Sequence, residues 1–127
     1  MPVFGKCETV TYNKRHGFVK YGDFKLMHGY IGGIYATKNH ADVYGNVIHG
    51  HTHTQESATS KRHDGSEGHS AGCLCKLELG YNSTHVATLR QRNGFLYGFR
   101  DSSSNRLTIF RATPVGETWI FPTEFNQ

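Results

Sequence analysis

Three histidines alternate in the stretch Val47-Ile48-His49-Gly50-His51-Thr52-His53, straight after two β-branched residues. On an extended chain, side chains two apart share a face, so alternation points all three imidazoles to one side. Neutral imidazole is the commonest protein ligand for metals near neutral pH. The cluster is therefore a metal site or an unusually polar strand edge. His28, in Leu26-Met27-His28-Gly29, closes an earlier apolar run and reaches the same point if the two strands are neighbours. Together His28, His51 and His53 would hold a zinc-type ion with one position open. They would equally serve as part of a two-metal centre, whose ions lie roughly 3.5–4 Å apart. Gly50, without a side chain, is where the backbone is expected to turn.

Regular elements must bring His28 to the later histidines. Phe24–Met27 (FKLM) is short, apolar and stopped by His28-Gly29, which predicts a strand. Residues 34–41 carry the one plausible helical pattern, with Gly32-Gly33 before it and Gly45-Asn46 after it. Val47–His49 then opens a second strand. Strand, helix and strand make a β-α-β unit in which both histidine groups fall at strand C-terminal ends. If those strands are parallel, the groups share one sheet edge. Lys38-Asn39-His40 lies within the helix and is expected on its surface.

Residues 7–12 (CETVTY) alternate, and 16–21 (HGFVKY) follow a Lys-Arg turn, so both predict strands. Residues 56–70 (ESATSKRHDGSEGHS) are polar, rich in Gly and Ser and aperiodic, which predicts a flexible loop. Strand patterns return at 74–79, 94–98, 106–111 and 118–121. No repeat or linker divides the chain. The expectation is a single α+β domain over 1–127, richer in strand than in helix.

At 127 residues the chain is long enough to bury roughly two-thirds of its unfolded surface. Cys7, Cys73 and Cys75 are odd in number, which excludes a complete intramolecular disulfide framework. The opening MPVFGKCETV lacks the charged start and apolar run of a signal peptide, and no apolar run approaches the roughly 20 residues of a membrane span. These features predict a soluble cytoplasmic protein without a membrane partner. The formal charge of +4 suits a polyanionic partner such as nucleic acid, and suits an ordinary solvated surface as well.

The histidine motifs, taken as a pair, resemble the last two metal motifs of the calcineurin-like metallophosphoesterases. In that family a hydrophobic strand ends in His-Gly, a helix follows, and a second hydrophobic strand ends in Gly-His-x-His. Order, separation and flanking apolar residues all match here. The tail, with Gly72-Cys73-Leu74-Cys75, Gly94-Phe95 and Trp119, is similar to bacteriophage members. The resemblance implies a strand-rich, partial α/β/β/α sandwich with one helix between two His-bearing strands. It implies that His28 and His51 ligate one divalent ion (manganese, zinc, nickel or iron) and His53 another. His49 stands where the family has an apolar residue, and no role is carried over to it.

Family members begin with Asp-x-His, then Gly-Asp, then Gly-Asn-His, all ahead of the strand that ends in His-Gly. Those motifs supply the bridging carboxylate, most of the remaining ligands and the histidine that assists the leaving group. Here only 27 residues precede His28, and Gly22-Asp23 among them lacks the family's context. Lys38-Asn39-His40 lies on the wrong side of His28 to be the Gly-Asn-His motif. The resemblance is thus to the C-terminal half, and no catalytic residue or organic cofactor site is assigned. Without the bridging Asp, nothing neutralises two adjacent dications, and without an acid the leaving alkoxide has no proton donor. Half a sheet also leaves an unpaired strand edge. A separate chain carrying the first three motifs, or a homo-oligomer, would address these deficits.

The expected function is the C-terminal segment of a split or truncated metal-dependent phosphoesterase, in the host cytoplasm if phage-encoded. Its substrate class is a phosphoester, with nucleic acid or a nucleotide slightly favoured by the basic charge. A reading from another class is a non-catalytic binding protein derived from such an enzyme. A third is a phosphoesterase active alone through one metal.

Other features have plainer explanations. Cys73-x-Cys75 with His63 and His69 would suggest a separate zinc site, yet zinc pairs are usually spaced Cys-x₂₋₄-Cys, so strand cysteines are expected. Phe95, Tyr97 and Phe99 share a strand face. Such a face is more often a core face; with Phe110, Trp119 and Phe121 the three would make a stacking platform for bases. Thr59-Ser60-Lys61-Arg62-His63 would grip a phosphate or form a solvated excursion.

Overall fold

A computed structural model of the protein describes residues 17–74 and 91–121. The strand expected at 7–12 and most of that at 74–79 lie outside the described residues. In chain order the elements are β1 (Phe18–Tyr21), β2 (Phe24–Met27), α1 (Ala36–Tyr44), β3 (Val47–His49), β4 (Ser57–Thr59), β5 (Glu67–Ser70), β6 (Phe95–Arg100), β7 (Leu107–Val115) and β8 (Thr118–Ile120). They form a five-stranded sheet in the order β1-β2-β3-β5-β4 and a three-stranded sheet in the order β6-β7-β8. The class is strand-rich α+β, with one helix among the described residues.

The β-α-β unit is present. β2 and β3 are parallel neighbours, with Leu26 opposite Ile48 and Met27 opposite His49. The helix begins at Ala36, two residues later than its sequence pattern suggests, because Gly33 adopts φ +89° and Ile34-Tyr35 form an exposed turn. It then runs on to Tyr44, which packs with Ala41 and Val47 in a buried cluster. Gly45, at φ +81°, ends it, and the Gly45 N–H donates to the Ala41 carbonyl at 2.9 Å. Only a residue tolerant of the left-handed region closes a helix this way without strain.

Ala36, Thr37, His40, Ala41 and Tyr44 form the buried face of α1 at helical spacing. This overturns the expected surface position of the Lys38-Asn39-His40 stretch at its last residue. His40 is fully buried, whereas Asn39 is exposed. Position 40 is one turn beyond Ala36, so it shares the face that meets the sheet.

Residues 56–70, expected as a loop, instead carry β4 and β5. The two strands are antiparallel, with Ser57 opposite His69 and Thr59 opposite Glu67. β5 continues the sheet parallel to β3. Its composition conceals a strand because the helix leaves no room for a side chain at its centre. A Cβ on Gly68 would stand 2.9 Å from the Thr37 carbonyl oxygen and 3.1 Å from the Ala41 methyl.

The second sheet faces the first on the side opposite α1. Val19, Leu26, Ile48, His69 and Ser57 form one cross-strand row on that inner face, read from the pairing register. Leu96, Leu107 and Ile109 of the second sheet meet Leu26 and Ile48 across the layer. Polar ties hold the sheets together. Asp23 Oδ1 accepts from the Leu107 N–H at 2.9 Å, and Gln55 Nε2 donates to the Ala112 carbonyl at 3.2 Å. On the outer face of the second sheet, Phe95, Tyr97, Phe99, Phe110, Trp119 and Phe121 form a chain of ring contacts, 5.0–6.3 Å between centroids. Of the three expected on a core face, Phe95 and Tyr97 are half-buried and Phe99 is exposed, so that face is only partly covered. Among the described residues no helix is long and apolar enough to cross a membrane.

Candidate metal centre

The site begins with the parallel pairing of β2 and β3. Their ladder extends one step past the strands, where the Gly50 N–H donates to the His28 carbonyl at 2.9 Å. That bond sets the residue after β2 beside the turn after β3. The imidazoles of His28 and His51 consequently meet edge to face, with centroids 5.2 Å apart. Both residues are exposed at the sheet edge. The expectation that the two histidine groups share one edge holds for this pair.

His28 Nδ1 donates to the Gly29 carbonyl at 2.8 Å. This fixes the tautomer and leaves the lone pair on Nε2, the arrangement found in metal-binding histidines. Gly29 itself is required by space. It lies at φ +91°, and a Cβ there would stand 3.0 Å from His40 Nε2. The His-Gly sequence thus has a local cause, because a second side chain would collide with the buried histidine beneath.

The turn after β3 is not made as expected. Gly50 has no left-handed φ, and its Cβ position meets only the His28 carbonyl oxygen at an ordinary 3.6 Å. The left-handed residues are His51 (φ 71°) and His53 (φ 58°) themselves. Non-glycine residues in this region carry strain of order 1 kcal/mol and concentrate at functional sites. Hydrogen bonds secure the turn. Thr52 Oγ1 pairs with Thr54 Oγ1 at 2.9 Å, Thr54 pairs with buried Ser70, and the His53 carbonyl accepts from the Arg92 N–H at 2.8 Å. His53 is exposed on this turn. Among the described residues its ring makes no ring contact with His28 or His51. Nor do three His, Cys, Asp or Glu side chains converge there closely enough to hold an ion.

Beneath the exposed pair lies a buried one. His40 and His49 stack with centroids 4.1 Å apart. His40 Nδ1 donates to the Ala36 carbonyl at 2.8 Å, and its Nε2 accepts from the Tyr30 N–H at 3.2 Å. His49 Nδ1 donates to the Gly50 carbonyl, and its Nε2 accepts from the Thr37 hydroxyl at 2.9 Å. Burial pushes both imidazoles below their ordinary pKa, His49 to about 4. These two neutral histidines join the helix to both histidine loops. His49 alternates with His51 and His53 in sequence, yet the strand sends it to the helix side. Helical spacing from Ala36 was the signal that would have placed His40 there too.

A divalent ion tests well against part of this donor set. Two imidazoles in edge-to-face contact suit two positions on a single zinc-type ion. A two-metal centre does not fit the described residues, since no carboxylate stands with the histidines to bridge two ions.

No family model matches the chain, and no curated protein sequence does. Among solved structures, the crystal structure of a single mutant of Vps29 from Entamoeba histolytica is similar to it. The TM-score is 0.52 at 20% identity, covering 98% of this chain and 67% of that one. The likeness is one of fold. It is a strand-rich α+β arrangement with one helix and two sheets among the described residues, consistent with a metallophosphoesterase-like fold.

Proposed function

We propose that this chain supplies the histidine side of a divalent-metal centre for phosphoester hydrolysis, in the manner of a split or truncated phosphoesterase of bacteriophage type. The observation that carries this reading is the meeting of His28 and His51, 5.2 Å apart across the ends of two parallel strands. His53, on the same strained turn, is the third candidate ligand. A manganese, zinc, nickel or iron ion held there would act as a Lewis acid on a phosphoryl oxygen and acidify a bound water. His28 and His51 hold the ion, and His49 and His40 keep the loops that carry them in place. Carboxylate ligands and a proton donor come from a second chain bearing the missing motifs; another copy of this one would instead complete the ion with further imidazoles. The basic charge favours nucleic acid or nucleotide among phosphoesters.

A second reading, a metal-free binding protein of the same fold, is favoured by one observation: no three ligand side chains converge among the described residues. Elemental analysis and calorimetric titration of protein purified without a polyhistidine tag separate the two. The first reading expects saturable binding of zinc or nickel that His51→Ala weakens at least about tenfold, consistent with loss of one of two or three ligands. It also expects turnover of bis-p-nitrophenyl phosphate only when the completing chain is added. Folded protein with no saturable metal uptake, or with weak uptake that His28→Ala and His51→Ala leave unchanged, would leave the second.

A further inference from the structure

At the β4–β5 end of the first sheet, the layer between the sheets opens into a cleft of about 400 Å³. None of the candidate metal ligands lines it. Its apolar wall is Ile109 and Ile120, and its polar groups include Ser57, His69 and Arg111. Sites for small ligands combine these features: an apolar body of roughly 300–1,000 Å³ and a few convergent polar groups.

The polar groups sit where a sheet interior would ordinarily be apolar. His69 and Ser57 end the row that begins Val19, Leu26, Ile48. Ser57 Oγ and His69 Nδ1 are 2.9 Å apart, so hydroxyl and imidazole already form one hydrogen-bonded unit. His69 Nε2 is buried without a hydrogen-bond partner, with a Glu67 carboxylate oxygen 3.5 Å away. Glu67 is not among the lining residues. Arg111 donates one N–H to the Gln55 carbonyl at 3.0 Å and has no acidic partner among the described residues. A guanidinium held by one backbone contact keeps the rest of its planar donor fork for an oxyanion.

We propose that this cleft binds a small organic anion, a carboxylate or phosphate carried on an apolar body. Arg111 takes the anionic head, the Ser57–His69 unit adds hydrogen bonds, and Ile109 and Ile120 flank the body. The proposal is independent of the metal centre.

Nuclear magnetic resonance titration of the full chain tests it, with phenylacetate, phenyl phosphate and neutral benzyl alcohol as probes. Saturable shifts of the His69 ring and of β5 and β7 amides are expected with at least one anion. The tighter of the two identifies the head group. Benzyl alcohol is expected to bind at least about tenfold more weakly, and Arg111→Gln to weaken the anion by a similar factor. His51→Ala is expected to leave the titration unchanged. Absence of saturable shifts with both anions overturns the proposal, as does equal binding of alcohol and anion. Arg111→Gln also removes the bond to Gln55. Should that variant not fold, Ser57→Ala and the comparison of anion with alcohol on the unaltered chain decide the matter.

Discussion

His40 and His49 lie face to face at 0% and 1% exposure, and each ring is already committed at both nitrogens. A proton added to either Nε2 would meet an N–H or a hydroxyl that now donates to it. The folded chain therefore refuses protons that the unfolded chain accepts below about pH 6.5. With more protons bound when unfolded, stability rises with pH in this window and is lost as pH falls from about 6.5 towards the His49 value of about 4. At about 1.4 kcal/mol per pKa unit, His49 alone accounts for roughly 3 kcal/mol across it. Urea midpoints measured from pH 8 to 4 should be level above about 7 and then drop. A level midpoint throughout would refute the buried neutral pair. Gly29→Ala tests the same region from above. The residue is at φ +91°, and the new methyl would press on His40 Nε2, so a loss of about 1–3 kcal/mol is expected in urea unfolding, together with weaker metal uptake through His28. At this scale the sequence revealed the chemistry of His28 and His51 but not that of His40. A histidine on a helix carries no mark of burial until the face opposite it is known.

The pairing of β2 with β3 is what turns two separate histidine motifs into one edge. Two short apolar runs and the intervening helix made this legible, because a strand–helix–strand run of this length favours parallel neighbours. The β4–β5 hairpin was not legible. Glu67-Gly68-His69-Ser70 has no apolar alternation, since one of its faces takes a glycine against α1 and the other a histidine at the cleft. Helix and sheet are in contact through Gly68, so Gly68→Ala should force α1 outward by the few tenths of an ångström that separate 2.9 Å from an ordinary contact. Overpacking of this sort costs about 1–3 kcal/mol. Thermal unfolding of Gly68→Ala should show that loss with native secondary structure by circular dichroism. An unchanged midpoint would mean that the helix does not rest on β5. The helix boundary also shifted from expectation, and for a local reason: Gly33 in the left-handed region delays its start.

At the scale of the whole molecule, the second sheet covers one face of the first and leaves its own aromatic face partly open, with Phe99 56% and Phe121 42% exposed. Composition could supply the strands of that sheet but not the layer order, which depends on contacts such as Leu107 with Asp23 that join residues 84 positions apart. The same limit applies to the metal centre. Local motifs name ligands, while the number that converge is a property of the assembled surface. Here that surface presents two imidazoles in contact, half of the four ligands a structural zinc takes. Two copies brought edge to edge would supply four, and a C2 pairing makes such a contact self-complementary. If another copy is the completing chain, zinc will drive dimer formation with one ion per two chains, and a chelator will reverse it. Sedimentation velocity with and without zinc measures this directly, with His28→Ala and His51→Ala each expected to remain monomeric at concentrations where the unaltered chain pairs. One zinc per monomer with no change in sedimentation would instead assign the open positions to water and direct the search to a different chain, one that brings its own carboxylates.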